Sequence, residues 1–120
     1  MKQAYIRIER NEQAAQERLR RDFLQAIRSG EEQGTHFSFQ SPAALFRALT
    51  PKRWELLEKL QATGPTGVRA LARLLERDVR RVHDDASALL ELGLVAKTAD
   101  GKLTVPFEKI HTEFDMAAAA

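Results

Sequence analysis

The stretch TGVRALARLLERDVRRVHDDASALLEL, residues 66–92, decides how this chain is read. Val68, Leu71, Ala72 and Leu75 recur at i, i+3, i+4 and i+7, which is one face of a helix. Glu76-Arg77-Asp78 interrupts the pattern. Asp78 is a suitable N-cap, because its carboxylate can accept a hydrogen bond from an otherwise unpaired amide of the first turn. Val79, Val82, Ala86, Leu89 and Leu90 then mark a second helical face, and Gly93 closes it. Two short helices around a turn of about three residues have the dimensions of a helix-turn-helix. The small Ala72 allows a close crossing, and Val82 falls where the second helix must pack back on the first.

Two apolar segments follow, Leu94–Thr98 and Lys102–Val105, separated by Ala99-Asp100-Gly101. Asp-Gly between two strand-like runs signals a hairpin, since a tight turn needs positive φ. A hairpin directly after a helix-turn-helix is a wing. Residues 66–105 carry seven basic and six acidic side chains, a net of +1. The placement says more than the sum. Arg77, Arg80 and Arg81 cluster where the second helix begins, and that end of a recognition helix reaches base edges in the major groove. Arginine pairs bidentately with guanine or clamps phosphate. Asp84 and Asp85 sit one turn later, where an aspartate accepts from cytosine or repels phosphate.

Working outward, Ser41-Pro42 and Thr50-Pro51 each place a hydroxyl at an N-cap and proline at the first helical position, where its missing N–H costs nothing. The first opens a short helix with Leu45, Phe46 and Leu49. The second opens a longer one with Trp54, Leu57 and Leu60, ended by Gly64-Pro65. Upstream, Tyr5–Glu9 and His36–Gln40 alternate apolar and polar residues like half-buried strands. Between them Asn11 caps a helix in which Ala15, Leu19, Phe23 and Ile27 form one stripe, with Gly30 as its stop and 30–35 as loop. Arg18, Arg20, Arg21 and Arg28 read as its solvated side. Ile110, Thr112 and Phe114 give a further short strand. These three strands form a small sheet covered by helix 12–29, and their open edges suit pairing with another chain. The terminal alanines are low in complexity and are set aside.

The expected fold class is α+β, mainly helical: a winged helix-turn-helix (41–107) with an N-terminal strand–helix–strand extension (1–40), a C-terminal strand (108–116) and a tail (117–120). The chain has 120 residues, 43% hydrophobic and 30% charged, enough for a core and a soluble surface. It carries a net charge of +2 and a pI of about 9.2, which permits nucleic-acid binding without demanding it. The absence of cysteine excludes disulfides, thiolate catalysis and cysteine-ligated metals. No apolar run approaches a membrane span and no signal-peptide pattern opens the chain, so a cytoplasmic location without membrane contact is expected.

Three stretches, LTPKRWELLEKL (49–60), GPTGVRALARLLERDVRRVHDDASALLELGLV (64–95) and DGKLTVPFEKI (100–110), resemble a family of small predicted winged-helix transcriptional regulators with a MarR-like core. Some of its members are encoded beside toxin-like genes, which implies an antitoxin role. The resemblance runs from about Phe37 to Phe114. It implies DNA binding through the helix beginning near Asp78, backbone contacts from the wing, and Arg77, Arg80, Arg81 and His83 as contacts. Glutamate at 76 stands where the family usually has glycine, at a cost of about 1 kcal/mol if the left-handed turn is kept.

The expected DNA-contact set is Arg69, Arg77, Arg80, Arg81, His83, Asp84, Ser87, Lys97 and Lys102. The expected partners are double-stranded DNA, a second copy in a homodimer formed through the N- and C-terminal segments, and, in the antitoxin alternative, a toxin protein. A winged helix used only for protein contacts is a third reading, in keeping with the near-balanced charge of 66–105. No enzyme is expected: there is no Ser/His/Asp grouping, Gly-rich phosphate loop or carboxylate pair. No cofactor is expected, and no metal, because His36, His83 and His111 lack ligand spacing. His83 reads equally as a phosphate contact or a half-buried helix residue, and Trp54 and the six phenylalanines as core.

Overall fold

A computed structural model describes residues 2–29 and 34–118 of the chain. The Gly30 stop and the ends of the flanking loop and alanine tail lie outside these residues. The described elements are β1 (Gln3–Ile8), α1 (Glu12–Ser29), β2 (Thr35–Phe39), α2 (Pro42–Ala48), α3 (Pro51–Thr63), α4 (Val68–Leu75), α5 (Val79–Leu92), β3 (Ala96–Lys97), β4 (Leu103–Thr104) and β5 (Lys109–Thr112). Helices hold about half of the chain, an α+β arrangement. Contacts divide it into two compact units, one of residues up to Arg47 together with those from Lys109, the other Ala48–Glu108. β5 therefore belongs with the N-terminal strands, and nearly all of α2 with them too.

In the first unit β1 is the central strand of a three-stranded sheet ordered β2-β1-β5, parallel throughout. Parallel neighbours require a crossover, and α1 supplies the one from β1 to β2. The register pairs Ile6 with Phe37 and Thr112, and Ala4 with Ile110, which gives one apolar face on which Ala4 and Ile6 are fully buried. The opposite face pairs Tyr5 with His36 and His111, and Arg7 with Ser38. Tyr5 stacks on His36 at 5.2 Å, and the Arg7 guanidinium lies 5.4 Å from the Tyr5 ring centre.

α1 meets this polar face through ion pairs. Arg18 pairs with Glu9, and Asp22 lies 4.0 Å from Arg7 and 3.5 Å from His36. The stripe expected to cover the sheet points elsewhere: Leu19, Phe23 and Ile27 are 68%, 65% and 64% exposed. A sheet face of Tyr, His and Arg offers an apolar stripe nothing to bury against, so the helix docks by its charged side. The phenylalanines depart from expectation in the same way. Phe107 is buried, while Phe23 and Phe46 are exposed and Trp54 is half-buried. Phe46 meets Phe114 edge-on at 6.3 Å.

Both hydroxyl caps form. Ser41 Oγ accepts from the Ala44 amide at 3.1 Å, and Thr50 Oγ1 accepts from that of Arg53 at 3.4 Å. In the second unit α3, α4 and α5 pack on one another. Their core is Leu56, Leu57 and Leu60 from α3, Leu71 and Ala72 from α4, and Val82, Ala86 and Leu89 from α5. Leu94, Val95, Leu103 and Phe107 close it from the hairpin side.

Two helix ends use the same hydrogen-bond pattern. After α4, the Glu76 amide donates to Arg73 O and the Arg77 amide to Ala72 O; after α5, Gly93 donates to Leu90 O and Leu94 to Leu89 O. This paired pattern needs a left-handed residue at the turn. Gly93 supplies it at φ 96°, and Glu76 adopts it at φ 54°, ψ 47° despite its side chain.

The hairpin turn differs in detail from a two-residue loop. Thr98 donates its amide to Lys102 O at 2.8 Å, and Gly101 donates to Thr98 O at 3.0 Å. Gly101 has φ 83°, while Asp100 stays at negative φ. The loop is thus the three-residue form with glycine in the left-handed position. A third extended piece joins it: Thr66 and Leu103 exchange two amide–carbonyl bonds of 2.9 Å. Gln61 Nε2 donates to the carbonyls of Phe107 and Glu108, tying the exit of the hairpin to α3.

Candidate nucleic-acid interface

The turn between α4 and α5 fixes where the arginines go. Asp78 caps α5, with Oδ2 accepting from the Arg81 amide at 3.2 Å. Val82, Ala86 and Leu89 hold one face of α5 in the core, which leaves Arg80, Arg81, His83, Asp84 and Ser87 exposed on the outer faces. His83 and Asp84 are open to solvent, with Nδ1 and Oδ1 3.6 Å apart. The half-buried reading of His83 is therefore not realised: the side chain is exposed.

Arg77 behaves differently from its neighbours. Its Nη2 donates to Asp85 Oδ2 at 2.7 Å, and its side chain is only 13% exposed. Arg53 of α3 donates from Nε to Asp85 Oδ1 at 3.1 Å and from Nη1 to Ala48 O at 2.8 Å. One carboxylate thus clamps a guanidinium from α3 and one from the turn. Burial by itself would raise the Asp85 carboxyl; the hydrogen bonds and charges of Arg77 and Arg53 outweigh it and hold the group below the usual carboxylate range. The cluster pins the leading end of α5 to α3. Sequence reading placed Asp85 beside DNA and gave Arg53 no role, because a pair 32 positions apart leaves no local signal.

The remaining residues of the expected set lie on other elements. Arg69 is exposed on α4, and Lys97 and Lys102 are exposed on the hairpin. Lys102 Nζ is 3.8 Å from Asp100, whose carboxyl a hydrogen bond from the Thr98 hydroxyl holds below its ordinary range. Arg80 and Arg81 make no side-chain ion pair among the described residues. They offer ten N–H donors by the inventory of a guanidinium group, about five each, to an oxyanion or a base edge.

Among the described residues no group of three or more His, Asp or Glu is arranged to hold a metal, and no helix is long and apolar enough to cross a membrane.

A three-helix unit with an appended hairpin, together with a three-stranded parallel sheet, makes this a small α+β protein. The HVO_A0114 family model matches residues 48–112, more than half of the chain. The chain belongs to the HVO_A0114 family. No curated protein and no solved structure matches it.

Proposed function

We propose that this chain is a sequence-specific DNA-binding transcriptional regulator, a repressor that acts as a homodimer. In this reading α4, the turn at Glu76–Asp78 and α5 are a helix-turn-helix, α5 is the recognition helix, and β3–β4 is the wing of a winged-helix domain with a MarR-like core. Arg80 and Arg81 contact bases or phosphates at the leading end of α5. His83, Asp84 and Ser87 lie along the same helix towards the bases, and Arg69, Lys97 and Lys102 approach the backbone. Arg77 acts through Asp85 as a positioning residue. No catalytic step, cofactor or metal is part of the proposal.

The observation that carries it is the division of labour among three neighbouring arginines. Arg77 is committed to Asp85, whereas Arg80 and Arg81 stand exposed, without a side-chain ion pair among the described residues. Such a cluster stabilises any helix that it ties down. A DNA-reading helix gains further, because base contacts need fixed geometry. The test is a fluorescence-anisotropy titration of DNA from upstream of the protein's own gene. Replacing both Arg80 and Arg81 with alanine should weaken binding by at least about thirtyfold, from about 1–3 kcal/mol for each of the two lost bidentate contacts. Unchanged binding by a folded double variant would remove α5 from the interface.

The homodimer rests on α1. Leu19, Phe23 and Ile27 are exposed at equal spacing about Phe23, so the stripe reads alike in both directions. An antiparallel pairing of two copies about a twofold axis then sets Leu19 of one against Ile27 of the other, as an isologous interface requires. The same exposed stripe also favours a second reading, in which the chain is an antitoxin and a cognate toxin covers α1 while the DNA-binding unit autoregulates the operon. Co-expression with the product of the adjacent gene, followed by purification, separates the two: the toxin reading requires a stable complex that Phe23→Glu abolishes.

A further inference from the structure

A cation outside the helix-turn-helix residues shares their surface. Lys52 stands in the first turn of α3, 63% exposed, with Nζ 4.0 Å from Glu55. Together with Arg77, Asp78 and Arg81 it lines one open hollow of about 630 Å³. Three of these four side chains are cationic. The one acid, Asp78, keeps its charge while its Oδ2 accepts from the Arg81 amide as the cap of α5. The Arg77 guanidinium is fixed by Asp85, and its Nη1 is shut off from solvent without a hydrogen-bond partner. Arg77 is thus a fixed part of the wall and does not reach out. Lys52 and Arg81 are exposed donors from two different helices, α3 and α5, and the Lys52–Glu55 pair at 4.0 Å is open to solvent.

We infer that this hollow seats a phosphate of the DNA backbone, held jointly by Lys52 and Arg81. The inference rests on the DNA-binding reading of α5 and extends it to a helix that lies outside the recognition motif. Its chemistry is that of an oxyanion between an ammonium and a guanidinium group, the charge-assisted pairing that makes such contacts strong. Its consequence is positional. A backbone contact from α3 fixes the angle at which α5 enters the groove, and it carries no sequence information of its own.

The test uses the full chain and two duplexes of equal length, one from upstream of its own gene and one unrelated. Lys52→Ala is expected to weaken binding to both by the same factor, about tenfold for each subunit bound, and to make the dependence of log K on log salt shallower by about one unit per subunit, about two for a dimer. Lys52→Arg should restore most of the affinity. Lys59→Ala, an exposed lysine further along α3 that does not line the hollow, should change nothing. An unaltered salt slope in Lys52→Ala, with wild-type binding intact, overturns the phosphate seat and leaves the reading of α5 standing. A loss confined to the cognate duplex overturns it as well, since Lys52 would then read bases. Failure of the wild type to bind either duplex overturns both.

Discussion

Glu76 carries a backbone conformation that its side chain disfavours. At φ 54° it occupies the left-handed region, where a Cβ crowds the following carbonyl at about 1–2 kcal/mol. The resemblance marked this position as one where glycine is usual, and the structure keeps the geometry glycine would serve. Glu76→Gly should therefore stabilise the protein by about 1 kcal/mol and raise its melting temperature by a few degrees. A lower melting temperature on calorimetry would mean that the Glu76 side chain makes a compensating contact. Asp85 is the opposite case, a residue whose neighbours stabilise its charge. Its carboxyl ionises below the usual range in the folded chain, so its contribution is present above about pH 4, the unfolded value, and is lost as pH falls through the folded one. Asp85→Asn should cost about 1–3 kcal/mol at pH 7, because Arg77 and Arg53 lose their shared partner. Urea titrations should show that difference shrinking as pH falls below 4. A difference independent of pH would place the stabilisation in packing rather than charge.

At the level of elements, the helices were readable because their boundaries are chemical. Thr50 and Asp78 cap α3 and α5 by side-chain hydrogen bonds, and Gly64 and Gly93 end them at positive φ. The hairpin was readable from Asp100-Gly101, although only the glycine takes positive φ. Three things were not readable. The direction of the sheet is set by α1 crossing between parallel strands, and alternation alone is the same in either direction. The side of α1 that meets the sheet depends on Glu9, Arg7 and His36, residues of other elements. The bridge from Thr66 to Leu103 was equally silent, since one paired residue has no period. Of the candidate interface, Arg80 and Arg81 could be placed from sequence, while the inward turn of Arg77 depended on a distant partner. Because Asp78 caps the helix that bears these arginines, Asp78→Ala should lower stability by about 1 kcal/mol. It should also loosen the first turn of α5, detectable as faster amide exchange at Arg81.

At the scale of the whole molecule, each of the two units is small, and a unit of about 60 residues buries a modest share of its surface. Exposed Leu19, Phe23 and Ile27 on one helix are unusual for a monomer of this size and are the place where association adds core. Phe23→Glu should convert a dimer to a monomer in analytical ultracentrifugation while leaving the helical circular-dichroism signal intact. A wild type that sediments as a monomer at micromolar concentration would remove α1 from this role. In a dimer, the two α5 helices would read half-sites about one DNA turn apart, or a multiple of it.

The claim on which the functional account turns is that the leading end of α5 lies in the major groove. Guanine N7 faces that groove, so methylation protection by dimethyl sulfate on the protein's own upstream DNA reports on it directly. The account predicts protected guanines in two symmetric half-sites, with protection at particular positions lost in Arg80→Ala or Arg81→Ala. Bound DNA whose guanine N7 atoms remain fully reactive would contradict it.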